Sequence, residues 1–261
     1  MKYNFSKYQG TGNDFIIFDR KKYAANLTSA QINLICDRRF GIGGDGVIFL
    51  EGSENSDFKM LYYNADGQEG SMCGNGGRCI VHYAFQQQYI KRETSFEAVD
   101  GLHKASVNAE TPGQISLLMR AVESIEIADD FVFLNTGSPH YVKFVLNADE
   151  IDVVAEGRKI RYNERFNKLG TNVNFVEIRN DELYVRTYER GVEDETLSCG
   201  TGVTAAVLAA AATNKVANNN RIRVSTPGGM LDVEFVKNGN GYSAIYLTGP
   251  AVCVFEGEIN L

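Results

Sequence analysis

One cysteine phrase occurs twice in this chain of 261 residues, as Cys73-Gly74-Asn75-Gly76 and Cys199-Gly200-Thr201-Gly202. A second echo keeps nearly the same offset: Thr11-Gly12-Asn13 recurs as Thr136-Gly137-Ser138, 125 residues on against 126 for the cysteines. Two signals at almost one spacing imply a duplicated unit. If the halves pack as a pseudo-symmetric pair, the two thiols meet from opposite sides of the cleft between them. Thiols so placed take a proton from one face of a carbon and return one to the other face.

A cysteine just ahead of a glycine-containing turn that opens a helix lies where unpaired backbone N–H groups and the positive dipole end favour negative charge. That position tunes the thiol toward thiolate. The N–H groups of Gly74 and Asn75, and of Gly200 and Thr201, are expected to hold a substrate carboxylate and to stabilise charge as the adjacent carbon loses its proton. The glycines permit that close approach. The plainer reading of a cysteine is a buried packing residue. It suits Cys36, Cys79 and Cys253, which sit in apolar patterns with no partner phrase, but for Cys73 and Cys199 it leaves the repetition unexplained.

Other polar residues next to turns are candidates. His140 and Glu189 read either as a solvated loop histidine and a rim glutamate, or as groups that bias a nearby thiol toward base or acid. Arg190 offers a bidentate grip on a second carboxylate, and Asn64 and Asn172 have the chemistry to orient an amine or carboxylate. Cys73, Cys79 and His82 lie close in sequence, yet no CxxC pair or second cluster completes a zinc set, so no metal is expected. Gly41-Ile42-Gly43-Gly44-Asp45-Gly46 matches the dinucleotide fingerprint in form only, because it follows a helix and precedes a strand. No Walker phrase is present.

These residues need a scaffold. Period-two runs at Asp14 to Asp19, Val47 to Glu51, Phe58 to Asn64, Gln114 to Met119, Tyr141 to Leu146, Val173 to Ile178 and Glu182 to Tyr188 predict half-buried strands. Arg221 to Ser225, Met230 to Val236, Tyr242 to Leu247 and Val252 to Glu256 continue the pattern. Thr28 and Gln31 form a capping box ahead of Ile32, Ile35 and Cys36, and Asp149 to Arg158 supplies a counterpart helix in the second half. Gly77 to Ile90 and Val203 to Val216 are apolar nearly all round, which marks helices enclosed by other structure. The expected fold is α/β in the α+β sense: a mixed strand layer or barrel wrapped around a central helix, made twice. Patterning lapses between Arg120 and Asp130, so residues 1–120 and 121–249 are the expected domains, with the strand at 250–261 a candidate to rejoin the first.

The net charge of −7 lacks the basic excess of a nucleic-acid or anionic-lipid binder. The longest uncharged run, Thr196 to Asn214, is too interrupted to span a bilayer, and the N-terminus has no secretory signal pattern. Five scattered cysteines suit a reducing compartment. A cytoplasmic protein is expected, with a homodimer as the default assembly.

Taken together, the phrases resemble the diaminopimelate epimerase family over nearly the whole chain. They are Gly10-Thr11-Gly12-Asn13-Asp14-Phe15, Arg39-Phe40 running into the Gly41 to Gly46 loop, Tyr63-Asn64-Ala65-Asp66-Gly67, and Met72 to Cys79. Later come Ser138-Pro139-His140, Tyr188-Glu189-Arg190-Gly191 and Glu195 to Gly202. The resemblance implies that Cys73 and Cys199 are the acid/base thiols, working without pyridoxal phosphate or metal, with His140 and Glu189 tuning them. It also implies that Asn13, Asn64, Asn172 and Arg190 read the distal amino-acid end of 2,6-diaminopimelate, a lysine and peptidoglycan precursor. Three departures stand out: Gly46 where some members carry glutamine, Ser138 for the asparagine common before Pro-His, and one extra residue between Glu189 and Cys199. They are expected to touch substrate contacts rather than the thiols. The rival readings are a proline or hydroxyproline racemase, which typically has histidine where this chain has Asn75, and a thiol-disulfide redox sensor.

Overall fold

The alternating runs become strands, and the strands of each half follow one wiring. The computed structural model describes residues 2–216 and 220–261, and the chain divides into two units, Met1–Leu117 with Gly249–Leu261, and Leu118–Thr248.

In the first unit β1 (Lys2–Gly10), β2 (Asn13–Asp19), β3 (Gly46–Glu51), β4 (Phe58–Asn64), β5 (Glu93–Ala98), β6 (Gly101–Val107) and β7 (Gln114–Met119) lie side by side in chain order. Their pairings run antiparallel, parallel, antiparallel, parallel, antiparallel, antiparallel. Parallel neighbours need a long crossover, and the two crossovers carry α1 (Ser29–Cys36) and α2 (Gly74–Gln86).

The second unit contains β8 (Glu126–Ile127), β9 (Val132–Asn135), β10 (Pro139–Phe144), α3 (Val153–Arg161), β11 (Asn172–Arg179), β12 (Glu182–Glu189) and β13 (Asp194–Thr196), then α4 (Gly200–Ala212), β14 (Arg221–Thr226), β15 (Gly229–Asn238) and β16 (Gly241–Pro250). From β9 through β10, β11, β12, β14 and β15 to β16 the order of pairings is the same as in the first unit, strand for strand. Here α3 and α4 occupy the parallel crossovers. The repeated phrases fall at equivalent places: Thr11-Gly12 in the β1–β2 turn, Thr136 to Ser138 in the β9–β10 turn, and the cysteines ahead of α2 and α4. Finally β17 (Val252–Asn260) pairs antiparallel with β1.

The central helices are enclosed, as expected. Every residue of α2 from Gly74 to Ala84 is buried, and α4 buries Val203 to Ala210 within a core that includes Val142, Val176, Val185, Leu231, Val233 and Leu247. Each enclosed Val or Leu contributes about 1.5–3 kcal/mol, so this alanine-rich helix, buried from Val203 to Ala210, is held by its surroundings on all sides. The outer helix α1 keeps its Thr28–Gln31 capping box and lays Ile32, Ile35 and Cys36 on Ile16, Phe18, Val47 and Phe49.

Several boundaries differ from the sequence reading. Both central helices begin three residues earlier, at the glycine directly after each cysteine, because the Cys73 and Cys199 carbonyls already accept from the Gly77 and Val203 N–H groups at 2.7 and 2.9 Å. They end earlier too, at Gln86 and Ala212, each followed just past the cap by a left-handed residue, Gln88 at φ 61° and Asn214 at φ 53°. The third helix is Val153–Arg161 rather than Asp149 to Arg158, since Asp152 accepts from Ala155 N–H as its N-cap. The β8 strand lies inside the stretch where patterning lapses. Cys253 is not a packing residue: it is exposed on β17, whereas Cys36 and Cys79 are buried.

Candidate active site

Cys73 is the N-cap of α2, with φ −102° and ψ 125°, and its side chain makes no cap hydrogen bond. The first turn of α2 contains no acidic residue, so its backbone donors and dipole are available to an anion. The thiol meets Asn13 Oδ1 at 3.4 Å, and Asn75 donates its amide to the same oxygen at 3.2 Å. Asn13 in turn donates to Asp45 Oδ2 at 2.6 Å, which fixes its amide orientation. Asn13, expected at the distal end of a substrate, therefore lies against the first thiol. Asn64 closes β4, exposed, directly opposite Gly46 in the ladder. A side chain at Gly46 meets the Tyr63 carbonyl at 2.4 Å and the Tyr62 ring at 2.5 Å, so the two tyrosines leave no room for one here.

Cys199 is likewise the N-cap of α4, with φ −115° and ψ 109°, and again no acidic residue follows in the first turn. Its Sγ lies 3.4 Å from Thr201 Oγ1. Thr136 Oγ1 donates to the Thr201 carbonyl at 2.9 Å, anchoring the helix start to the β9–β10 turn.

His140 is fully buried, and its hydrogen bonds define its protonation. One end of the Asn174 amide meets the Tyr141 carbonyl at 3.1 Å, an obligate acceptor, so that end is the NH2 group; it also donates to His140 Nδ1 at 3.1 Å, while Oδ1 accepts from Thr187 Oγ1 at 3.0 Å. Nδ1 is therefore an acceptor and the proton is on Nε2, which donates to Ser138 Oγ at 3.0 Å. Ser138 Oγ also accepts from Asn172 Nδ2 at 3.0 Å. Its own hydrogen is left for Thr201 Oγ1, 3.4 Å away, and the Thr201 hydroxyl is then free to donate to Cys199 Sγ. Burial, reinforced by Arg190, pushes the His140 pKa down to about 3, so the ring is neutral through the physiological range.

Asn172 is nearly buried and holds three elements together. Its Nδ2 donates to Ser138 Oγ and the Pro139 carbonyl, and its Oδ1 accepts the Arg190 backbone N–H at 2.9 Å. The exposed Arg190 side chain donates to the Leu169 carbonyl at 2.8 Å. Glu189, at the end of β12, accepts from Thr196 Oγ1 at 2.9 Å. The fold thus gathers Cys199, Thr201, Ser138, His140 and Asn172 in one chain of hydrogen bonds. Ser138, expected among substrate contacts only, is a link in that chain.

Sequence reasoning missed Asn174, although Asn172 and Asn174 share one face of β11 by strand alternation. It also missed why Gly202 is required: a Cβ there lies 2.4 Å from Asn174 Oδ1 and 3.4 Å from Cys199 Sγ. Cys73, Cys79 and His82 do not assemble with others as a donor set; among the described residues no three His, Cys, Asp or Glu side chains are grouped as a metal requires. Likewise, no helix among them is long and apolar enough to cross a membrane.

The fold is shared with a solved Bacillus anthracis protein of the PhzF phenazine biosynthesis family, at TM-score 0.74 and 18% identity over 100% of both chains. Its class is therefore the two-unit α/β architecture with an enclosed helix in each unit. Sequence fixes the family within that class. The diaminopimelate epimerase family model matches residues 5–122 and 132–254. A diaminopimelate epimerase of Flavobacterium psychrophilum is 51% identical, covering 97% of this chain and 98% of that protein. One of Chlorobaculum tepidum is 43% identical over 97% and 99%. The chain belongs to the diaminopimelate epimerase family.

Proposed function

We propose that this protein interconverts LL- and meso-2,6-diaminopimelate, a step toward lysine and peptidoglycan precursors, using Cys73 and Cys199 as its acid/base pair and neither metal nor pyridoxal phosphate. One thiolate takes the Cα proton and the other thiol delivers a proton to the opposite face; the reverse reaction exchanges their roles. Each sulfur then approaches the carbon to roughly 3–3.5 Å. The first-turn N–H groups of Gly74 and Asn75 and of Gly200 and Thr201 hold the carboxylate on that carbon and stabilise the charge developing beside it. Asn13 accepts from the Cys73 thiol, and Thr201 donates to Cys199. Neutral His140 acts through Ser138 and Thr201, while Glu189, Asn64, Asn172 and Arg190 shape the remainder of the substrate site. A cytoplasmic homodimer is the assembly we favour.

The observation that carries this reading is the pair of cysteines, each the N-cap of an enclosed helix with glycine as its first residue, in a chain of this family. The test is solvent deuterium uptake at Cα of LL-diaminopimelate, under reducing conditions with no cofactor added. Uptake accompanied by formation of the meso isomer is expected. No uptake by folded, reduced protein sinks the reading and leaves a redox role for the thiols standing.

A further inference from the structure

Arg78 lies on α2 and is fully buried, yet all its acceptors are neutral. Its Nη2 donates to Asn75 Oδ1 at 2.9 Å and Thr11 Oγ1 at 3.2 Å; the carbonyls of Pro250 and Gly74 lie at 3.4 and 3.5 Å. Among the described residues no carboxylate pairs with it. Withdrawing a cation from water costs several kcal/mol unless a partner charge or a full set of hydrogen bonds offsets it. Thr11 is held in the left-handed region at φ 50°, almost completely buried, a conformation that persists only where its surroundings impose it. Its hydroxyl donates to the Gly10 carbonyl and accepts from Arg78.

Burial pushes the Arg78 guanidinium down, and two thiols, Cys79 and then Cys73, act against that by favouring its charge. Cys79 is wholly buried, and burial pushes its thiol far up despite Arg78, so it stays protonated. Cys73 is only partly buried, occupies the N-cap position of the same helix, and shares Asn13 Oδ1 with the Asn75 side chain that Arg78 holds. Other titratable groups around the cluster do not compete. Tyr8 on β1 and Cys253 on β17 share a hydrogen bond and are both raised by burial, and His82 on α2 is lowered by burial. Charges on the remaining packed strands are paired elsewhere: Asp14 with Lys7 and Arg38, Asp45 with Arg38, Glu51 with Arg20, and His103 with Asp100. Asp19 accepts from Tyr83 and Tyr89.

We infer that Arg78 is a positioning residue for the reaction: its guanidinium is the built-in counter-cation of the Cys73 thiolate, and through Asn75 it fixes the amide network that meets that sulfur. The inference rests on Cys73 acting as an acid/base thiol, but it is read on the thiol itself. Iodoacetamide alkylation of Cys73 is followed against pH by peptide mass spectrometry in wild type, Arg78→Lys and Arg78→Met. Wild type is expected to show a midpoint below the free-cysteine value of about 8.5, with Arg78→Lys close to it. Arg78→Met, similar in length and without charge, is expected to move the midpoint up by about one pH unit or more, slowing alkylation at pH 7 about tenfold. An unchanged midpoint in folded Arg78→Met overturns the role. So does a wild-type midpoint at or above about 8.5, a result that stands even if the methionine variant does not fold. A depressed wild-type midpoint without deuterium uptake counts against the epimerase reading and leaves Arg78 as counter-cation.

Discussion

The Nδ1 atom of His140 accepts from the Asn174 amide at 3.1 Å, and this contact sets which ring nitrogen carries the proton. The amide has no choice of orientation, because the end facing Nδ1 also meets the Tyr141 carbonyl, which can only accept. The proton is therefore on Nε2, facing Ser138 and the hydroxyl chain that ends at Cys199.

Asn174→Asp replaces that donor with a carboxylate and calls for a proton on Nδ1. We expect the tautomer to reverse, or the ring to become cationic, with a fall in turnover of about tenfold or more as the Nε2 donor is lost or redirected. Nitrogen-15 chemical shifts report the state directly, since the chain has three histidines. Unaltered His140 shifts in the variant refute the assignment.

Ser138→Ala leaves the buried Nε2–H of His140 and one Asn172 donor without their acceptor. Losing a buried partner costs about 1–3 kcal/mol, readable as a lower urea midpoint at constant slope. Ser138→Asn restores an acceptor oxygen and is expected to recover most of that loss. Equal stability of the alanine variant and wild type shows that the serine is not a link.

Cys73→Ser and Cys199→Ser should each lower epimerisation by about 10²–10⁴-fold or more, the range for losing one general acid or base. Melting temperatures should stay near wild type, because neither thiol caps its helix. Wild-type turnover by either variant refutes the two-thiol assignment.

Asp14 is held down to about 2: burial pulls its pKa upward, but hydrogen bonds from Arg38 and Lys7 outweigh it. A depressed carboxylate contributes stability above its unfolded pKa and loses it as pH falls through the folded value. Asp14→Asn is thus expected to cost about 2 kcal/mol at neutral pH, partly through the buried Lys7 left without its partner. Denaturant titrations should show the two proteins converging between about pH 4 and pH 2. A gap independent of pH assigns the effect to something other than this charge.

The duplication, the strand-rich class and the enclosed helices were legible in the chain, because each is a local periodicity or a repeated phrase. Helix starts were less so. An apolar stripe begins only where side chains begin, and Gly74 to Gly77 and Gly200 to Gly202 offer almost none, although they form the first turns. The exposure of Cys253 was misread for a similar reason: an alternating apolar run does not say whether anything covers it.

Residue type and order alone determined the chemistry available here: two thiols ahead of glycine turns, a histidine in a turn, an arginine after a glutamate. Tertiary structure decided what each of them meets. Strand pairing brings Asn172 beside His140 across 31 intervening residues, Gly202 lets Asn174 approach, and the closing of strands around α2 strips water from Arg78. Protonation and charge depend on partners and burial, and those are set by contacts between residues far apart in the chain.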